Sequence, residues 1–115
     1  MKIIVNQLNQ LILFPLQNGI NFLKINEILY CKSESNYSEI ISTKDRCFMV
    51  SMTLKQIEES ISNYGFIRIH RSYLVNINHI NNLRSGKSHY LILSDGTKIP
   101  VSKIGKTNLN RLLKS

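Results

Sequence analysis

Apolar residues in this chain fall in short runs, each closed by residues that favour turns. Leu11-Ile12-Leu13-Phe14 stops at Pro15, and Gln17-Asn18-Gly19 then reads as a turn. INFLKINEILYC (20–31) holds two apolar runs with polar positions between them. YSEIIST (37–43), the turn Lys44-Asp45 and RCFMVSM (46–52) predict strand, turn and strand. HYLILS (89–94), Asp95-Gly96 and TKIPVS (97–102) predict a hairpin. Pro100 cannot donate to a ladder, so its strand belongs at a sheet edge.

Two stretches follow the helical period instead. Thr53 precedes LKQIEESI with Gln56 three residues on, which is the pattern of a capping box. Leu54, Ile57 and Ile61 share one face there, and Gly65 can end the helix. The terminal KIGKTNLNRLLK places Ile104, Leu109, Leu112 and Leu113 near one face, which the pattern assigns to covering the domain's own sheet, while Gly105 weakens the start. The prediction is a mostly β (α+β) single domain over 1–115, with one short central helix and one C-terminal helix.

FIRIHRSYLVNINHI (66–80) fits neither a buried nor an alternating strand, because Arg68, His70 and Arg71 interrupt it. A spacing of three puts Arg68 and Arg71 on opposite faces of an unbroken strand, so bringing both to one surface needs a bend at His70-Arg71. His70 is expected to hold such a bend through a hydrogen bond of its ring, as a structural residue. An arginine is too costly to bury unpaired. Arg68 is divided between an internal salt bridge and a phosphate contact. Asn76 and Asn78 read as turn-makers.

Length and composition narrow the class. The chain has 115 residues, 43% of them hydrophobic, which is one domain with a real core. No apolar run reaches the ~20 residues of a membrane span, and Asn and Gln break the start MKIIVNQLNQ as a signal peptide. A cytoplasmic protein follows, with Cys31 and Cys47 as reduced, buried thiols. The net charge of +8 is unevenly placed. Residues 1–59 hold six Lys/Arg against six Asp/Glu, and residues 60–115 hold nine against Asp95 alone. That asymmetry points to a polyanion, nucleic acid before anionic membrane.

Catalytic and metal chemistry find little support. Gly86-Lys87-Ser88 resembles the end of a phosphate-binding loop, but Asn81 stands where the leading glycine belongs and a strand follows instead of a helix. His70, His79 and His89 lack metal-ligand spacing. Acids are scarce, and Asp45 and Asp95 lie in turns. The expectation is no enzyme, no cofactor and no metal.

Taken in order, EILYCKSESNYSEIIST (27–43), GFIRIHRSYLVNINHI (65–80) and TKIPVSK (97–103) resemble the LytTR-type DNA-binding domain of bacterial response regulators. The resemblance spans about residues 10–115, and FIRIHRSYLVN is its most specific part. It implies an elongated arrangement of small antiparallel sheets that reads successive grooves of double-stranded DNA with loops from one edge. Carried over by position, the contacts are Asn36 and Tyr37 in the first loop, Arg71 in the second and Lys103 in the third; Arg68, Ser72 and Lys106 beside them are further DNA-binding candidates. Lys103 stands where many members have arginine, which loses the planar fork to guanine.

Family members usually carry an N-terminal receiver domain, whereas this sequence starts almost directly with the DNA-binding region, so the expectation is a stand-alone regulator, monomeric in solution, with a piece of a longer chain as the alternative. Its partner would be promoter DNA with paired direct-repeat sites, holding two copies; neither a membrane nor a small-molecule substrate is expected. Two alternatives compete. One is an interaction module that antagonises a full-length regulator. The other is a single-strand binder, which needs an aromatic stacking platform that the scattered Tyr and Phe do not suggest.

Overall fold

The chain is described by a computed structural model covering residues 2–114. Its strands are β1 (Ile4–Asn6), β2 (Leu11–Leu16), β3 (Gly19–Lys24), β4 (Ile28–Glu34), β5 (Tyr37–Ser42), β6 (Cys47–Val50), β7 (Phe66–His70), β8 (Tyr73–Asn76), β9 (Ile80–Arg84), β10 (Tyr90–Leu93) and β11 (Lys98–Pro100). Helix α1 (Leu54–Ile61) joins β6 to β7, and α2 (Lys103–Lys114) ends the chain. The strands form three antiparallel sheets, β1-β2-β3, β6-β5-β4-β8-β7 and β11-β10-β9. The molecule measures 44 × 31 × 25 Å, which matches the expected elongated, mostly β architecture.

The five-stranded sheet separates two cores. Alternation along its strands decides which residue goes where. Phe66, Leu74, Cys31 and Ile40 face β1-β2-β3 and α1, and join Ile12, Phe14, Leu23, Leu54, Ile57 and Ile61. Ile67, Ile69 and Val75 face the other way, toward Leu91, Leu93 and Ile99 of the third sheet, with Leu109 of α2 at the margin. Two register shifts adjust this pattern, one between Ile28 and Tyr30 and one between Arg68 and His70. The first lets Ile28 and Cys31, three residues apart, enter the same core.

Local chemistry explains the boundaries. Thr53 Oγ1 accepts the Gln56 N–H at 3.2 Å, and Gln56 Oε1 accepts the Thr53 N–H at 2.9 Å, closing the expected capping box. One 3-10 turn follows α1 and stops at Gly65, whose φ of 92° suits glycine. The Asp95-Gly96 hairpin forms as expected, with Gly96 at φ 90° and Pro100 on the edge strand β11. Asn76 is more than a turn-maker. It is fully buried, donates from Nδ2 to the carbonyls of Ile25 (3.0 Å) and Ile28 (2.8 Å), and accepts the Asn78 N–H. A buried amide is tolerated there because its groups are paired.

Two expectations need correction. Cys31 is buried, and burial pushes its thiol up to about 12, but Cys47 is exposed on the edge strand β6. An edge strand has only one neighbour to cover it, which the apolar pattern of 46–52 does not reveal. The C-terminal helix does not rest on all four of its apolar residues either. Ile104, Leu112 and Leu113 are 57%, 40% and 78% exposed. The contact is made by buried Gly105, half-buried Leu109 and Asn108, whose Nδ2 donates to the Arg68 carbonyl at 2.8 Å. Gly105 therefore creates the docking contact, because its bare α-carbon lets the helix lie against the Ile69 carbonyl.

Candidate nucleic-acid interface

Strand pairing brings two hairpin tips to one end of the central sheet. β4 and β5 reverse at Ser35-Asn36, with Ser35 at φ 57° and Glu34 opposite Tyr37. β7 and β8 reverse at Arg71-Ser72, with His70 opposite Tyr73. β4 and β8 are neighbours, and the Ser33 N–H donates to the Ser72 carbonyl at 3.0 Å. With strands ~4.8 Å apart, the two tips stand roughly 10 Å from each other. Asn36, Tyr37 and Arg71 are exposed, and Ser72 is half-buried.

The third segment is tied to the same end. β7 is an edge strand, and α2 covers it. The Ser102 N–H donates to the Ile69 carbonyl at 3.1 Å, and Ser102 Oγ accepts the Gly105 N–H at 3.3 Å as a cap on α2. Lys103 and Lys106 are exposed in the first turns of that helix. The loop 85–89 continues the row, since the Val101 N–H donates to the His89 carbonyl at 3.0 Å. It carries exposed Lys87, a further candidate beyond those the sequence suggests. Its signal was discarded along with the failed phosphate-loop motif, although Gly-Lys-Ser also describes an exposed basic loop.

The bend expected at His70-Arg71 is a complete chain reversal. His70 holds it: Nδ1 accepts the Ser72 N–H at 3.1 Å, and the ring meets Tyr73 edge-on at 5.7 Å. Arg68 does not share a surface with Arg71. Its Nε donates to the His70 carbonyl at 2.9 Å, one terminal nitrogen to the Arg71 carbonyl at 2.6 Å, and the other to Glu58 of α1 at 2.7 Å. The Arg68 side chain is only 17% exposed. Of the two roles left open for it, the geometry fits the internal salt bridge, and a phosphate contact would require breaking these bonds.

Among the described residues, three acids of the first half are in ion pairs, Glu27 and Glu34 within that half and Glu58 across to Arg68. Glu27 accepts the Lys24 N–H at 2.8 Å and lies 3.7 Å from Lys44 and 3.5 Å from Arg46. That backbone hydrogen bond first, and then the two cations, hold its carboxyl below the usual range. Lys32 pairs with Glu34 at 3.8 Å. Among the described residues, Arg68 is the one cation after position 60 with an acidic partner. Arg71, Lys87, Lys103 and Lys106 therefore present uncompensated charge beside the two hairpin tips, an arrangement suited to phosphates. Among the described residues the exposed aromatics Phe22 and Tyr37 lie in different sheets. No helix among the described residues is long and apolar enough to cross a membrane.

Comparison with known proteins agrees with this geometry. The family described as the LytTr DNA-binding domain matches residues 18–114. The sensory transduction protein LytT of Bacillus subtilis is 36% identical over 89 residues, which cover 76% of this chain and 36% of that protein. The CO-responsive transcriptional regulator RcoM of Rhodospirillum rubrum is 27% identical over 89 residues, covering 75% and 37%. The chain thus spans little more than a third of these relatives. A solved LytTr DNA-binding domain from Bacillus cereus superposes with a TM-score of 0.74 at 21% identity, over 90% of this chain and 96% of that one.

Proposed function

The chain belongs to the LytTr DNA-binding domain family, and on that premise we propose that it is a transcription regulator that binds double-stranded DNA sequence-specifically. The observation that supports this most is the meeting of three separate segments, 35–37, 71–72 and 103–106, at one end of the sheet with unpaired cations among them. Arg71 reads a base edge from the hairpin tip, and Asn36 and Tyr37 contact the neighbouring stretch. Ser72, Lys103, Lys106 and Lys87 grip phosphates and set the register. A row of this kind on an elongated body follows one face of a duplex better than it wraps a single strand, for which a stacking platform would be needed.

Charge-dominated binding makes a quantitative expectation. Three lysines on phosphates give a slope of roughly −3 in a plot of log affinity against log salt. Titrating duplex binding from low to physiological salt measures it, and a flat response would remove phosphate contact from the proposal. Two copies bind direct repeats about one helical turn apart, so that both approach the same DNA face. Selection from a random duplex library should therefore return a motif repeated in the same orientation. Recovery of no motif would overturn specific binding, and inverted copies would overturn the direct-repeat arrangement alone.

A further inference from the structure

We propose that the Glu58–Arg68 pair is a positioning device that holds the Arg71-Ser72 turn in its DNA-reading shape, an inference that rests on the DNA-binding function proposed above. The turn is two residues long, and its backbone is held from several sides. The guanidinium of Arg68 takes the carbonyls of His70 and Arg71 at 2.9 and 2.6 Å. His70 Nδ1 takes the Ser72 N–H, and the Ser33 N–H takes the Ser72 carbonyl. What remains unconstrained is the Arg71 side chain.

The guanidinium is a planar fork with its donors in fixed directions, so two nitrogens clamp the turn and a bond to the third ties that clamp to another element. Glu58 Oε1, 2.7 Å from Arg68 Nη1, supplies that anchor from α1, a helix seated in the first core by Leu54, Ile57 and Ile61. The orientation of the DNA-reading turn is thereby referred to a rigid element that lies away from the three contact segments. Neither Glu58 nor Arg68 touches a base in this arrangement. Their effect passes through the placement of Arg71, whose discrimination depends on in-plane geometry at the base edge.

Glu58→Met separates this role from simple charge. It removes the oxygens that accept from Arg68 together with one negative charge, at similar length, on a helix residue that is one-third exposed, so the fold is retained. On charge alone, losing an acid tightens binding to every duplex. With a positioning role, affinity for the selected site falls while affinity for random duplex stays level or rises. The expected loss in the specific-to-random ratio is about tenfold, within what one base contact supplies. Arg68→Lys keeps the charge but lacks the fork, so it should lose the same ratio with an unchanged salt slope, and adding Glu58→Met to it should cost nothing more.

Three outcomes overturn the proposal. A ratio unchanged in Glu58→Met, whether or not the melting temperature falls, makes the pair merely structural. A salt slope about one unit shallower in Arg68→Ala, with Glu58→Met binding as wild type or tighter, makes Arg68 a phosphate contact instead. A wild-type ratio of one removes the DNA-reading function itself, and the positioning role with it.

Discussion

Replacing Arg71 with alanine weakens discrimination between the selected site and random duplex while the protein stays folded. Arg71 is exposed at a hairpin tip, and among the described residues its guanidinium has no acidic partner. Its backbone carbonyl, which Arg68 grips, survives the substitution. Stability should therefore move by less than about 0.5 kcal/mol, as for other exposed positions. Specific affinity should fall by roughly 1–3 kcal/mol, or about 5- to 150-fold. Random-duplex affinity should fall less, since only one charge is lost. Fluorescence anisotropy on both duplexes, alongside a thermal melt, gives all three quantities. Native stability with unchanged specific affinity would take Arg71 out of the interface.

The largest loss of stability is expected from Gly105→Ala. A β-carbon at that position would collide with the carbonyl and α-carbon of Ile69, which are backbone atoms of β7 and cannot rotate aside. Either α2 lifts away from the edge strand or the strand shifts. Lifting would break the Asn108-to-Arg68 bond and disturb the Ser102-to-Ile69 contacts, and would loosen Leu109 from the second core. Overpacking of this kind costs roughly 1–3 kcal/mol. For a domain of this size that lowers the melting temperature by about 4–15 °C. Helix propensity acts the other way by up to ~1 kcal/mol in favour of alanine, so a net loss would show that the close contact dominates. Gly86→Ala is the control, because a β-carbon there meets nothing within 4 Å. Lys103 and Lys106 ride on α2, so DNA binding by Gly105→Ala should weaken beyond what the unfolded fraction explains. A melt indistinguishable from that of Gly86→Ala would show that α2 docks differently.

Much of this architecture could be read before any coordinates. The capping box at Thr53, the stop at Gly65, the Asp95-Gly96 hairpin and the edge position of Pro100 all rest on chemistry within a few residues, which the environment seldom overrides. Strands β1 and β9 were not foreseen. β9, with Asn81, Asn82 and Arg84, is too polar to announce a strand, and it forms because β10 supplies a ladder for it. Both halves of the reversal at Arg71-Ser72 were apparent as strand, but the sharpness of the turn depends on Arg68, His70 and Ser33 reaching it from three directions.

Gly105 and Arg68 mark where local information ends. A glycine near a helix start reads as weakness, because propensity measures the helix alone. Only the approach of β7 turns the missing side chain into a contact surface. An arginine three residues from another reads as a second candidate for the same ligand. Only the packing of α1 beneath β7 gives it Glu58, ten residues back in the chain, and directs its fork at the turn. By itself the sequence determined most of the elements, their faces, the basic second half and the resemblance that marks the candidate contact segments. The tertiary structure decided which cations remain unpaired, since ion pairs and close backbone contacts depend on distances that strand order and helix docking set.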